Sequence, residues 1–284
     1  GSRGSGGSVW VECGTLAGAG HITANGGEVF TRSKSLSIRG KNPSDRPVLK
    51  DFVIVLESVS ASKPDITISD MGFSGKSIII VDNAHGGFGD IEVYGCRADV
   101  TNRTASFTTL KNKDNVGATY SSGTFMQWMQ RSTGSTERLS VHDNEVVCRL
   151  SDPAGNIRIF NGGIMAKEAT VRDNVFGSEA HPIENSSGWV MVSQCTAKDS
   201  SLEFCDNTVW QRGDCGLVWI LATGVTATGL DIAVHDQHLA GTRDHGIAHH
   251  LLQSLIRLLY DLHVLLLNFW SIYLISGDES FYFR

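Results

Sequence analysis

The sequence predicts an all-β chain: a right-handed parallel β-helix with coils of about 30 residues, followed by a C-terminal helical tail. Three observations lead there. An Asp-Asn pair closes a series of short apolar runs, at "SIIIVDN", "KNKDN", "RLSVHDN", "EATVRDN" and "SLEFCDN". Its aspartates, Asp82, Asp114, Asp143, Asp173 and Asp206, are 32, 29, 30 and 33 residues apart, and Asp236 of "IAVHDQ" follows after 30 more. The runs before Asp143, Asp173, Asp206 and Asp236 alternate apolar and polar residues, and 31 Gly with many Ser, Thr, Asn and Asp crowd the gaps between runs.

The first 50 residues are Gly-rich and irregular, with strand-like pieces "SVWVEC" and "GHITANGG"; they read as an entry segment. Residues 51–241 carry the repeat. There "WVMVSQCTAKDSSLEFCDNTVWQRGDCG" aligns under "NIRIFNGGIMAKEATVRDNVFGSEAHPIENSSG", each unit giving a strand, a polar turn, a second strand, the mark and a variable loop. Residues 52–123 read as weaker copies of the same unit. In the second strand, Leu139 and Val141, Ala169 and Val171, Leu202 and Phe204, and Ile232 and Val234 share one parity. Ser140 and His142, Thr170 and Arg172, Glu203 and Cys205, and Ala233 and His235 share the other. One face is therefore dry and one wet. A unit that cannot bury its apolar face alone must stack on copies of itself.

Stacking also accounts for the mark. Equivalent positions of neighbouring strands lie about 4.8 Å apart, so an asparagine repeated there can hydrogen-bond to its copies. Asn and Asp also tolerate the left-handed backbone of a sharp corner. Asn83, Asn115, Asn144, Asn174 and Asn207 are thus expected to form a structural ladder. One Asp per turn does not supply the convergent oxygens that calcium needs.

Residues 242–284 form the tail. "HGIAHHLLQSLIRLLYDLHVLLLNFWSIYLIS" has a helical pattern, and 251–276 is long enough to cross a bilayer but is interrupted by Arg257, Asp261, His263 and Asn268. Three readings stand: a helix capping the rod, a helix in contact with membrane, or a sequence foreign to the fold. No Met precedes Met71, so the chain is expected to start inside a longer protein.

Net charge of -6 without clustered Lys or Arg argues against a nucleic-acid partner. Six cysteines without any Cys-x-x-Cys argue against a zinc site and leave disulfide pairing open. Sequons at Asn102 and Asn185 are candidate glycosylation sites. His245 and His249 are four apart but lack a third ligand, so no metal and no cofactor are expected. Trp210, in the variable loop after a mark and close to Arg212, is the favoured binding residue, with Arg212 as its companion. Trp128, Trp189 and Trp219 read as core or stacking residues.

The strings "RLSVHDN", "EATVRDN", "SLEFCDN" and "GDCGLVWI" resemble the dispersed-gene-family surface proteins of trypanosomes and, more broadly, the pectin-lyase-like β-helix superfamily. The resemblance covers roughly 50–240 and departs at the tail. It implies a cell-surface or secreted, non-catalytic solenoid that adheres to a host glycan or extracellular-matrix protein. The alternative it implies is a polysaccharide lyase or glycoside hydrolase, for which Arg172, Glu203 and Asp231 are the outward-facing candidates. Polygalacturonase strings such as Gly-His-Gly are missing from the sequence.

Overall fold

The computed structural model describes residues 15–17, 21–25, 36–40, 42–50, 53–57, 63–82, 87–101, 105–107, 116–118, 122–128, 136–149, 156–162, 166–184, 189–195, 200–212, 216–223, 231–240, 269–275 and 281–283. Every regular element among them is a strand. The chain opens with β1 (Thr15–Ala17), β2 (His21–Asn25) and β3 (Leu36–Arg39), then β4 (Val48–Lys50), β5 (Val53–Glu57) and β6 (Ile66–Ser69). There follow β7 (Gly72–Gly75), β8 (Ile78–Asp82), β9 (Asp90–Tyr94), β10 (Arg97–Val100), β11 (Ala105–Phe107), β12 (Val116–Ala118) and β13 (Ser122–Gly123). Next come β14 (Met126–Trp128), β15 (Thr136–His142), β16 (Glu145–Cys148), β17 (Asn156–Gly162), β18 (Ala166–Arg172), β19 (Val175–Phe176), β20 (Ile183–Glu184) and β21 (Trp189–Cys195). The chain finishes with β22 (Ser201–Cys205), β23 (Thr208–Arg212), β24 (Gly216–Thr223), β25 (Asp231–His235), β26 (His238–Ala240), β27 (Phe269–Ile275) and β28 (Phe281–Phe283).

Pairing sorts the strands into three large sheets visited in rotation. The first holds β1, β4, β7, β10, β16, β19 and β23; the second β2, β5, β8, β14, β17, β21 and β24; the third β3, β6, β9, β15, β18, β22 and β25. Neighbours within these series are parallel, as expected when each strand is reached only after a circuit through the other two sheets. The strands β1 to β4 already belong to these sheets, so the pairing shows no division at residue 50.

Aligned partners in the third sheet measure the circuit. From Leu36 through Ile66, Ile91, Leu139, Ala169 and Leu202 to Ile232, the steps are 30, 25, 48, 30, 33 and 30 residues. The long step holds an excursion, in which β11 and β12 pair antiparallel with each other. One mark of the expected repeat belongs to another place: Asp82 ends β8 in the second sheet, while Asp114 lies outside the described residues. Asn83 and Asn115 lie outside the described residues, as do Asn102 and Asn185.

The apolar parity of the third sheet faces one core. Ile66, Ile68, Ile91, Val93, Leu139, Val141, Ala169, Val171, Leu202, Phe204 and Val234 are buried there with residues of both other sheets. Phe160 of the second sheet meets Phe176 of the first edge-on at 5.6 Å, and Phe176 stacks at 6.2 Å on Phe204 of the third. All three sheets thus contribute to a single apolar cluster, and its burial is the main stabilising term.

Each third-sheet strand from β6 onward ends in a left-handed residue. Asp70, Asp143, Asp173, Asp206 and Asp236 have φ of 52 to 55°, and Gly95 takes the same place at 61°. Short polar side chains pay least for this conformation after glycine. The next residue then turns inward: Met71, Cys96, Asn144, Asn174 and Asn207 are buried in succession. The three asparagines form a continuous column. Asn144 donates from Nδ2 to Asn174 Oδ1 at 2.9 Å, and Asn174 donates likewise to Asn207 Oδ1 at 2.9 Å. Each oxygen also accepts a backbone N–H from the preceding circuit, Cys96 to Asn144, Asn144 to Asn174 and Asn174 to Asn207. Gln237 Oε1 takes the last amide at 3.3 Å, its longer side chain standing where the mark has no Asn.

The end of the tail differs from expectation. Phe269–Ile275 and Phe281–Phe283 are strands, antiparallel to β24 and β25. Aromatic and β-branched residues dominate "FWSIYLI" and "FYF", and such residues suit a pleated strand. The preceding stretch, 241–268, lies outside the described residues. No helix among the described residues is long and apolar enough to cross a membrane.

Candidate functional site

The outward parity of the third sheet brings side chains from successive circuits into columns. The last outward position before the corner reads Tyr94, His142, Arg172, Cys205, His235 along consecutive strands. Two residues earlier the column reads Glu92, Ser140, Thr170, Glu203, Ala233. Twice, therefore, a histidine is set beside the preceding strand's glutamate, which stands two positions back.

The two places are built alike. His142 Nδ1 lies 2.7 Å from Asp143 Oδ2, and its Nε2 lies 3.4 Å from Glu92 Oε1. His235 Nδ1 lies 2.8 Å from Asp236 Oδ2, and its Nε2 lies 3.3 Å from Glu203 Oε1. The left-handed corner causes this, because it throws each Asp side chain back beside the residue before it. A neutral imidazole has one N–H, so it can serve only one of two carboxylates. Hydrogen bonding to Asp236 raises the His235 pKa; burial opposes it, and Glu203 adds to the rise.

The residue under the ring separates them. Tyr94 stacks on His142 with centroids 5.1 Å apart and planes 1° apart. Below His235 stands Cys205, and the donor atoms of Glu203, Cys205 and His235 all lie within 4.8 Å of one another. Cys205 belongs to the outward parity yet is only 4% exposed. Burial, then a hydrogen bond to Asp206 and nearby carboxylates, pushes its thiol up to about 12. Cys96, Cys148 and Cys205 are buried and in no disulfide; Cys13 and Cys215 lie outside the described residues.

The favoured binding pair sits elsewhere than expected. Trp210 and Arg212 belong to strand β23, not to a loop, because the segment after the corner starts the next strand of the first sheet. Trp210 is half-buried, and its strand passes close to Gly177, where an added Cβ would stand 2.9 Å from the Trp210 carbonyl oxygen. Arg212 donates from Nη1 to Glu184 Oε2 at 3.2 Å. Trp128 is core.

Of the trio considered for sugar chemistry, Arg172 pairs with Asp173 beside it, and Glu203 turns toward His235. Asp231 stands opposite Ser201 on the outward parity, diagonal to Glu203. Other exposed charges are tied across circuits. Arg138 makes a two-pronged pair with Asp90 at 3.0 and 2.6 Å, Arg97 meets Glu145 at 2.9 Å, and Arg149 meets Asp99. His245 and His249 lie outside the described residues.

The Cys205 and His235 neighbourhood was readable in principle. Aligned on the Asp mark, "EFCDN" and "AVHDQ" put Cys205 and His235 at one position of consecutive units, with Glu203 two residues earlier. Looking for a histidine's copies, as with His142 and His235, misses the different residue type next to it. No family model, curated protein or solved structure matches the chain.

Proposed function

We propose that the three sheets close on one another into a right-handed parallel β-helix, and that this rod is a non-catalytic adhesion module at the cell surface or in secretion. Closure is supported by the fixed rotation of the strands and by the Phe160, Phe176 and Phe204 contacts between all three sheets. Handedness follows from the strong right-handed preference of parallel crossovers. The partner is a host glycan or an extracellular-matrix protein.

The observation that carries the binding role is the 48-residue circuit between Ile91 and Leu139, against 25 to 33 residues elsewhere. Stacking needs no such excursion. A hairpin inserted in a rigid repeat is where such a scaffold presents contact groups, since loops vary without disturbing the core. The exposed charges beside it are largely spent on cross-circuit pairs, so the excursion, more than the sheet face, is the recognition element. A membrane contact in the tail would run through the part of 251–276 ahead of Phe269, since Phe269–Ile275 is paired in the second sheet.

The test replaces residues 102–121 by a short Gly-Ser turn in the whole chain. Binding to a panel of immobilised glycans and matrix proteins should fall by tenfold or more while the unfolding midpoint is kept. Unchanged binding would refute the hairpin as the contact element. Release of new sugar ends from polyuronates or neutral glycans by the parent chain would refute the non-catalytic role.

A further inference from the structure

We infer that Glu203, Cys205 and His235 bind one divalent transition-metal ion of the zinc class. The three donors come from two adjacent strands, β22 and β25, whose register puts Cys205 opposite His235 and Glu203 opposite Ala233. Their donor atoms already lie within 4.8 Å of one another. Bonds of about 2.0 to 2.3 Å to a tetrahedral zinc ion bring such donors to about 3.5 Å apart, so closing the site asks for a modest side-chain adjustment, taken up first by Glu203. Glu203 is half exposed and free to make that adjustment.

A second, independent feature points the same way. Metal-bound histidines usually donate their other ring N–H to a carboxylate, which fixes the tautomer and aims the lone pair at the ion. Asp236 occupies that place on Nδ1 at 2.8 Å, leaving Nε2 toward Glu203. One thiolate, one imidazole and one carboxylate form a donor set suited to zinc or cobalt and poorly suited to magnesium or calcium. Three protein ligands leave a fourth position of a tetrahedral ion for water. On binding, the Cys205 thiol gives its proton to solvent and the charge on the thiolate and Glu203 is met by the ion.

The molecule carries its own control. At His142 the same Asp and Glu contacts recur, but Tyr94 stacks on the ring where Cys205 would stand, so that place offers no sulfur donor. The metal requires Cys205, and the twin should not bind.

The experiment titrates the reduced whole chain with Co²⁺ and then Zn²⁺, using the metals alone as probes. Co²⁺ should give a thiolate-to-metal absorption band that Zn²⁺ bleaches. Cys205→Ser should remove the band, Glu203→Gln should weaken binding, and Asp236→Asn should weaken it about 10- to 100-fold while keeping the left-handed corner. His142→Gln should leave band and affinity unchanged. Unfolding of the metal-free variants checks their fold, and Glu203, being exposed, tests the site without touching the core. No band, or a band that survives Cys205→Ser, would overturn the proposal.

Discussion

The corner of the third sheet is built in two ways along one molecule. In the later circuits, Asn144, Asn174 and Asn207 fill the inward place after the left-handed residue and bond to each other. In the earlier ones, Met71 and Cys96 fill it. The backbone is the same in both, with Asp70 and Gly95 in the left-handed conformation that Asp143, Asp173 and Asp206 share. Corner geometry is therefore set by the backbone, and the buried place can be filled by apolar packing or by a satisfied amide column. Cys96 stands between the two solutions. Its Sγ lies 3.8 Å from Ile68 O and 3.4 Å from Tyr94 O, where Asn174 Nδ2 meets the corresponding carbonyls of Val141 and Arg172. Its thiol is a weak-donor stand-in for an Asn, and burial pushes it up to about 12.

The largest expected effect separates these solutions. Asn174→Leu removes bonds to Val141, Arg172, Asn144 and Asn207 and strands buried donors, so it should cost about 2 to 4 kcal/mol in urea unfolding. Met71→Leu, at the equivalent place, should cost less than about 1.5 kcal/mol because it is an apolar swap of similar volume. Equal costs would mean that the column carries no special stability.

Next come the left-handed residues. Gly95→Ala should cost about 1 to 2 kcal/mol, since the left-handed backbone disfavours a Cβ. The added Cβ would also meet Asp70 Oδ1 at 2.8 Å. Asp173→Gly should change stability by only a few tenths of a kcal/mol, because glycine holds the same φ and only an exposed Arg172 contact is lost. Thermal midpoints of the two variants check this.

Cys96→Asn should extend the column toward Met71. A gain of about 0.5 to 1.5 kcal/mol is expected, the usual net worth of an added hydrogen bond, and a loss would mean that the earlier circuits cannot house the amide. Another modest effect lies on the exposed face. Hydrogen bonds from Lys167 and Lys63 hold the Glu137 carboxyl below the usual range. A depressed carboxylate adds stability above the unfolded value near pH 4.3 and loses it as pH falls through the folded value. Glu137→Gln should therefore flatten the acid limb of the stability curve, by no more than about 1 kcal/mol.

The later circuits were the legible ones. There the Asp-Asn mark records a left-handed corner followed by a buried amide, and alternation gives the buried positions Leu139, Val141, Ala169, Val171, Leu202, Phe204 and Val234, while Cys205 of the other parity is buried as well. The earlier circuits hide because Asp70-Met71 and Gly95-Cys96 keep the conformation without keeping the letters. The pair at 82 copies the letters without the place: Asp82 ends a strand of another sheet. Trp210 was misplaced for a related reason, since a short strand such as β23 directly after a corner lacks the length that marks a strand in sequence. Proximity of Cys205, Glu203 and His235 comes from register across circuits, which no single segment states.

The most direct test is a double-mutant cycle on Asn174 and Asn207, each replaced by Ala, read by urea unfolding. Side chains that stand one above the other in adjoining circuits should couple by about 1 kcal/mol or more. Additive losses, within about 0.3 to 0.5 kcal/mol, would contradict the stacking from which the corner column and the metal site both follow.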